Sequence, residues 1–254
     1  MKKFPLGRII AHAGGNVSGR NYTNSVEAFE RSAPVVSLIE FDVLWANDGL
    51  IIAHGGLEES YGLKVRFSKV SIREFKKQKY LGTFSLMSLS DLCFRLIDHD
   101  THVVLDLKCY SDKEYRGMLE EISRIAQING VQDKIIPQVY SPDNYDAATE
   151  LGFRNTILAL WKNYNDVRTD QARDCLVHCL SGPAEGFRGL SIHARHFALD
   201  GGQKDSGLSA FFFDLTGSVF VHGQKREEEE ELLARGLGLY SHYAVDWVQH
   251  LSLL

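Results

Sequence analysis

Eight short apolar segments, separated by helical patterns, constrain the fold of this chain more than any other feature of its sequence. The segments are rich in β-branched residues, as strands are, and the stretches between them repeat apolar residues at helical spacing. No linker rich in Pro, Gly or Ser and no change in composition divides the chain. We therefore predict a single-domain α/β fold, the (β/α)8 TIM barrel, with strands at residues 8–11, 38–44, 103–108, 135–140, 156–160, 190–193, 219–221 and 237–240.

Residues 55–86 interrupt this alternation. The turn at 47–49 predicts a hairpin in which residues 50–53 return along the second strand. The segment that follows is polar, basic and irregular, and we interpret it as an insertion into a barrel that spans residues 1–254. Its basic residues could guide an anionic substrate, although a solvated surface is the more usual explanation of such charge. Residues 201–213, glycine-rich and then apolar, are ambiguous.

The composition argues against several classes of protein. The 254 residues carry a formal net charge of −5, which gives no support for nucleic-acid binding. No apolar run approaches the ~18–20 residues of a membrane span, and the N-terminus lacks the apolar core of a secretory signal. The four cysteines show no CxxC spacing and are expected to be reduced. We therefore expect a soluble, cytoplasmic protein without a membrane span.

Two carboxylates on the second predicted strand are the first sign of chemistry. Glu40 and Asp42 lie two residues apart, so they project from the same face of a strand whose other residues are apolar. Such a pair is unfavourable unless a positive charge lies beside it. A divalent cation would supply that charge, and oxygen ligands favour Mg²⁺ or Ca²⁺. The alternative is an ion pair with Lys or Arg and one solvated carboxylate.

A barrel brings further polar residues to the same place, because barrel active sites lie at the carboxyl ends of the strands. His12 ends the first strand, His54 ends the hairpin arm, and Asp106 and Lys108 end the third strand. Lys108 could simply be the ion-pair partner of Asp106. The convergence with the carboxylates of the second strand nevertheless favours a metal site with three carboxylates.

These residues resemble the glycerophosphodiester phosphodiesterase family, within the phosphatidylinositol-specific phospholipase C-like barrels. The resemblance spans the chain, is looser in the C-terminal half, and is carried mainly by Ile-Ala-His12, Gly14-Gly15, Asn24-Ser-Val-Glu27-Ala-Phe29, Ile39-Glu40-Phe-Asp42-Val43, Asp48-Gly49, His54 and Leu-Asp106-Leu-Lys108. It implies a divalent metal, Mg²⁺ or Ca²⁺, and a small-molecule phosphodiester substrate.

The same resemblance implies a role for each site residue. The metal ligands would be Glu40, Asp42 and Asp106. The general base and general acid would be His12 and His54, a chemistry that suits imidazoles with pKa values near neutrality. The substrate-binding set would be Lys108, Asn24 and Arg20.

Several residues depart from the family pattern. The first His is followed by Ala13 where Arg is usual, and the second by Gly55 where Asp is usual. Arg20 could replace the lost guanidinium from the following loop. Asp106 stands where Glu is common, and His242 stands where Asp is usual. We expect an altered substrate pocket around an intact catalytic constellation.

The sequence therefore predicts a metal-dependent phosphoric diester hydrolase that acts on a glycerophosphodiester or a related small phosphodiester. Two alternatives remain open. The same site could act as a lyase that releases a cyclic phosphate. The chain could also be a non-catalytic barrel that binds phosphate or metal, a hypothesis that Ala13 and Gly55 favour and the two retained histidines oppose.

Overall fold

The computed structural model describes residues 7–163, 169–180, 186, 188–194, 218–234 and 236–251. Its strands are β1 (Ile9–Ala11), β2 (Leu38–Ala46), β3 (Gly49–Ile52), β4 (Lys79–Tyr80), β5 (Phe84–Ser85), β6 (His102–Leu107), β7 (Ile135–Val139), β8 (Thr156–Ala159), β9 (Arg188–His193), β10 (Val219–His222) and β11 (Gly238–Ser241). Its helices are α1 (Val26–Ser32), α2 (Ile72–Phe75), α3 (Leu89–Leu96), α4 (Asp112–Ile128), α5 (Pro142–Glu150), α6 (Asp170–Leu180), α7 (Arg226–Ala234) and α8 (Ala244–Leu251). The ambiguous segment 201–213 lies outside the described residues.

Eight parallel strands close into a barrel. β1 pairs with β11 on one side and with β2 on the other, and the order around the ring is β1-β2-β6-β7-β8-β9-β10-β11. The antiparallel strand β3 pairs with the end of β2, as the turn at 47–49 predicts. The predicted (β/α)8 TIM barrel is confirmed.

Side-chain alternation divides each strand between the inside of the barrel and the layer of helices. One buried cluster, which fills the inside, consists of Ile10, Leu38, Val104, Ile136, Ile157, Phe220 and Tyr240. Alternate residues such as Ile39, Phe41 and Leu105 instead join the large cluster that includes the helices. Polar residues that share the parity of Leu38 and Val104 therefore face the interior.

Serine side chains begin the helices that the sequence predicts. Ser25 accepts a hydrogen bond from the Ala28 N–H at the start of α1, and Ser88 forms a capping box with Asp91 at the start of α3. Because each cap sits just after a barrel strand or loop, it fixes where the chain turns back along the outside of the barrel.

The insertion at 55–86 is more ordered than its irregular pattern suggests. It contains α2 and the hairpin β4–β5, and it has its own apolar cluster built around Tyr61, Phe67, Phe75, Tyr80 and Phe84. The expectation of an irregular, polar excursion is therefore wrong for its interior. The physical reason is that these aromatic residues are spaced with neither helical nor strand period, so the cluster leaves no periodic pattern.

The acidic helix α7 also differs in one respect from a purely solvated surface. Glu229 is buried and accepts a hydrogen bond of 2.5 Å from Trp247 Nε1.

Among the described residues, no helix combines the length and the apolar character needed to cross a membrane.

Candidate active site

A tight turn at the end of β1 positions the first histidine. His12 begins a 3-10 turn in which Ala13 has φ of 49° and Gly14 has φ of 83°. A Cβ on Gly14 would lie 2.6 Å from the Ala28 Cβ and 2.9 Å from the Phe41 ring, so only glycine fits. The Ala13 N–H donates a hydrogen bond of 2.7 Å to Glu40 Oε2. The turn therefore ties His12 to the carboxylates of β2.

Three carboxylates meet inside the barrel near its carboxyl end. Glu40 and Asp42 share the inward parity of Leu38, and Asp106 shares that of Val104, with Asp42 paired in register to Asp106 across β2 and β6. Glu40 is 1% exposed, Asp42 2% and Asp106 6%. One oxygen of each lies within 4.8 Å of the other two. The structure thus brings together the three predicted metal ligands.

Lys108 supplies the ammonium group of this cluster. Its Nζ lies 2.7 Å from Asp42 Oδ1 and also forms an ion pair with Asp106. Burial alone would lower the pKa of Lys108, but Asp106 and Asp42 outweigh that effect and raise it above its usual range. The ion pair between Lys108 and Asp106 that the sequence allowed is therefore present, and the ammonium stays charged.

One ammonium does not balance three carboxylates. With all four groups ionised the cluster carries a charge of −2, from three negative charges and one positive. Burial raises the pKa of Glu40 well above its usual range, and Asp42 and Asp106 raise it further. A divalent cation would remove this excess, and an all-oxygen ligand set suits Mg²⁺ or Ca²⁺. The residues therefore fit the metal that the resemblance implies.

Asn24 holds Asp42 in place. Its Nδ2 donates to Asp42 Oδ2 at 2.8 Å, and its Oδ1 accepts the Asp42 N–H at 3.1 Å. Asn24 is fully buried and has a left-handed backbone with φ of 46°. Because both ends of the amide are bonded to Asp42, the structure gives Asn24 an orienting role, and a direct contact with substrate stays a prediction.

Tyr140 and Lys162 are two site residues that sequence reasoning missed. The Tyr140 hydroxyl donates a hydrogen bond to Asp106, and the Lys162 Nζ lies 3.7 Å from the centroid of the Tyr140 ring. Burial alone would raise the pKa of Asp106, but Lys108 and the Tyr140 hydrogen bond outweigh it and lower that pKa. Tyr140 directly follows β7 and Lys162 follows β8, so their positions at strand ends were the available signal.

His12 lies beside the carboxylates and against a second imidazole. Its Nε2 is 3.8 Å from Glu40 Oε2, and its side chain is 26% exposed. The ring of His242 stacks on it with centroids 4.6 Å apart and planes 16° apart. Burial lowers the pKa of His12 well below its usual range, and His242 and His222 lower it further. A neutral His12 can accept a proton.

His54 follows the β3 arm, next to Ala53, whose N–H donates to the Asp42 carbonyl oxygen at 3.1 Å. The backbone N–H of His54 donates to the Tyr61 hydroxyl at 3.0 Å, and its ring Nδ1 lies 2.8 Å from the Gly55 carbonyl oxygen. The ring of Tyr22 contacts both histidines edge-on, with its centroid 5.2 Å from that of His12 and 5.7 Å from that of His54. The sequence did not single out Tyr22.

Arg20 is a predicted site residue that the structure does not bring to the carboxylates. Its side chain is exposed on the loop between β1 and α1. Burial raises the pKa of Tyr80 in the insertion, and the charge of Arg20 partly offsets that rise, so the guanidinium lies within electrostatic range of the insertion. Within the described part of the chain, Arg20 forms no ion pair with the three carboxylates. Its predicted contact with phosphate stays a prediction.

Two more histidines stand at the ends of neighbouring strands. His193 ends β9 and His222 ends β10, paired in register, with ring centroids 4.9 Å apart. The His222 ring lies 6.4 Å from that of Tyr240 inside the barrel. Imidazoles therefore end two strands that lie across the ring from β2 and β6, and the altered pocket expected from the sequence stays a prediction.

No protein-family model matches the chain, and no curated protein matches it. Several solved structures match it. A glycerophosphodiester phosphodiesterase from Parabacteroides distasonis superposes with a TM-score of 0.72 at 14% identity, covering 96% of this chain and 95% of that one. An Oleispira antarctica phosphodiesterase, solved with the product sn-glycerol-3-phosphate, has a TM-score of 0.74 at 17% identity, covering 96% and 97%.

A third structure agrees with these two. The glycerophosphoryl diester phosphodiesterase domain of a Mycobacterium tuberculosis protein has a TM-score of 0.65 at 14% identity, covering 95% of this chain and 97% of that one. Identity this low speaks for the fold and leaves the activity to the site residues. The chain has the same barrel fold as these phosphodiesterases over nearly its whole length.

Proposed function

We propose that this chain is a metal-dependent phosphoric diester hydrolase that acts on a glycerophosphodiester or a related small phosphodiester. The observation that carries the proposal is the buried Glu40–Asp42–Asp106 cluster flanked by His12 and His54 at the barrel mouth. The likeness to phosphodiesterases, one of them solved with sn-glycerol-3-phosphate, supports this class of substrate.

Mg²⁺ or Ca²⁺ would be held by the three carboxylates. When bound, the ion would supply positive charge to an anionic phosphodiester and to the developing charge on its oxygens. Lys108 would add a second positive charge at the same point, since its ammonium is kept ionised by Asp42 and Asp106.

The two histidines would handle the protons. His12, neutral and beside the site, would take a proton from the attacking water as a P–O bond forms. His54 would protonate the departing alkoxide as the P–O bond to the alcohol breaks, giving a phosphomonoester and an alcohol. The Gly55 carbonyl oxygen, 2.8 Å from His54 Nδ1, would accept a hydrogen bond from Nδ1–H, so the doubly protonated ring would present Nε2–H to the departing oxygen.

The test is the hydrolysis of glycerophosphocholine with Mg²⁺ or Ca²⁺, with and without EDTA, followed by phosphorus NMR of the products. We expect a phosphomonoester in the presence of metal and a loss of roughly 10²–10⁴-fold in kcat for His12→Ala. His178→Ala is the matched control, because His178 lies on the outer helix α6 with its side chain 45% exposed.

Two other outcomes of this experiment would favour a different function. A cyclic phosphate product would show that the site stops at intramolecular attack and acts as a lyase. Absence of turnover on glycerophosphocholine and on bis(p-nitrophenyl) phosphate, with metal still bound, would contradict a hydrolase and favour a binding barrel.

A further inference from the structure

Tyr22 contacts three histidine rings at the barrel mouth. Its ring meets three imidazoles edge-on, those of His12 at 5.2 Å, His54 at 5.7 Å and His242 at 4.4 Å between centroids. Its backbone is left-handed, with φ of 57°, an uncommon conformation for a residue with a large side chain. A residue held in this conformation requires support from its surroundings, and such residues gather at functional sites.

The support comes from hydrogen bonds that hold the loop carrying Tyr22 to the carboxylate cluster. Two positions further on, Asn24 is locked to Asp42 by two hydrogen bonds, and its N–H donates to the Ala13 carbonyl at 3.3 Å. Ala13 is in turn bonded to Glu40. The loop that carries Tyr22 is thus anchored at two of the three carboxylates, and the position of Tyr22 follows from the geometry of the cluster.

The hydroxyl of Tyr22 is available to a ligand. The residue is 38% exposed, and its hydroxyl makes no hydrogen bond to any residue that the structure describes. Burial raises the pKa of Tyr22, and the negative charges of Asp42 and Glu40 raise it further. The hydroxyl therefore lies within electrostatic range of the carboxylates and stays protonated at neutral pH.

The side-chain donors of Lys108 and Asn24 are already partly committed to the carboxylates. The ammonium of Lys108 is shared between Asp42 and Asp106, and the amide of Asn24 is bonded to Asp42. Ala13, beside His12, has no side-chain donor at all. A phosphodiester that lies between the two histidines therefore meets the hydroxyl of Tyr22 as a neutral donor not committed to the protein.

We propose that Tyr22 is a substrate-contacting residue whose hydroxyl donates a hydrogen bond to a phosphoryl oxygen of the diester between His12 and His54. The proposal rests on the proposed function, because it places the diester at that site. A hydrogen bond to an anionic oxygen is stronger than one between neutral groups, and a donor aimed at developing charge contributes to the rate. The competing explanation is that the Tyr22 ring only packs against the imidazoles.

The variant Tyr22→Phe separates these explanations, because it keeps the ring and removes only the hydroxyl. Two quantities should be measured in the metal-loaded chain: kcat/KM for glycerophosphocholine and the affinity for inorganic phosphate by calorimetry. We expect kcat/KM to fall by roughly 10²-fold, as when one donor to a developing oxyanion is lost, and phosphate binding to weaken by about tenfold. Tyr110→Phe is the matched control, since Tyr110 is 99% exposed.

The outcomes divide cleanly. If Tyr22→Phe matches the wild type in both quantities while Tyr22→Ala is impaired, the ring acts by packing and the proposal is wrong. If the wild type cleaves no diester but Tyr22→Phe still weakens phosphate binding, the hydrolase proposal fails and the contact of Tyr22 with phosphate stands. If the wild type neither cleaves a diester nor binds phosphate, both proposals are overturned.

Discussion

At the scale of single residues, the carboxylate cluster depends on neighbouring side chains that hydrogen-bond to it. Asn24 satisfies one oxygen and the N–H of Asp42, and Tyr140 satisfies one oxygen of Asp106. Both carboxylates are buried, so a lost partner would leave a charged oxygen without water to replace it. These supporting residues fix the positions of the carboxylates before any cation arrives.

Replacing Asn24 should therefore destabilise the fold as well as the site. Asn24→Ala removes both hydrogen bonds to Asp42 and puts alanine at a left-handed φ of 46°. We expect the free energy of unfolding to fall by about 1–3 kcal/mol, measured by denaturant titration. Asn47→Ala, at an exposed turn, should change it by less than about 0.5 kcal/mol. Equal effects of the two variants would contradict the orienting role.

Residue-scale prediction from the sequence succeeded where a strand fixed the geometry. Glu40, Asp42, Asp106 and Lys108 were identifiable because strand alternation makes residues two apart share a face. Tyr22 was not, because its position depends on a loop with left-handed backbone that no periodic pattern encodes. The side-chain direction of Arg20 was open for the same reason, since a loop residue can face the site or the insertion.

At the scale of elements, the turn from β1 to α1 depends on a glycine at a single position. Gly14 has φ of 83° and no room for a Cβ, whereas Gly117 in α4 has nothing within 4 Å of the position where a Cβ would lie. The same substitution should therefore have opposite effects at the two positions. One glycine is required by the turn, and the other only weakens a helix.

The pair Gly14→Ala and Gly117→Ala tests this difference. Gly14→Ala should lower the free energy of unfolding by about 2 kcal/mol or more and should disturb His12, because the added methyl meets Ala28 and Phe41. Gly117→Ala should raise it by roughly 0.5–1 kcal/mol. A neutral Gly14→Ala in thermal and denaturant unfolding would show that the turn can relax.

The capping box of α3 makes the stability of the fold depend on pH. Burial alone would raise the pKa of Asp91, but hydrogen bonds from Lys76 and Ser88 outweigh it and lower that pKa below its usual range. The stability that this carboxylate contributes is therefore complete above the unfolded pKa and is lost as the pH falls through the lower, folded pKa. Asp91→Asn should cost about 1 kcal/mol at pH 7, and the difference from the wild type should shrink below about pH 4. A difference independent of pH would contradict this account.

At the scale of the whole molecule, barrel closure explains why distant segments form one site. β1 meets both β2 and β11 at the closure, so His12, the carboxylates of β2 and His242 become neighbours although His242 lies 230 positions from His12 along the chain. The alternation of strands and helices was sufficient to predict this ring. The apolar cluster of the insertion was not predictable, because aromatic residues such as Tyr61 and Phe75 follow no period and are recognisable as a core only once folded.

The barrel also concentrates negative charge where three carboxylates meet one ammonium, and that imbalance is the basis of the account. The most direct test is calorimetric titration of Mg²⁺ and of Ca²⁺ into the full chain and into Glu40→Gln, with the exposed Glu59→Gln as control. We predict one bound ion per chain, affinity at least about tenfold weaker in Glu40→Gln, and no change in Glu59→Gln. Absence of binding to the wild type, or equal affinity in Glu40→Gln, would contradict the metal site and the mechanism built on it.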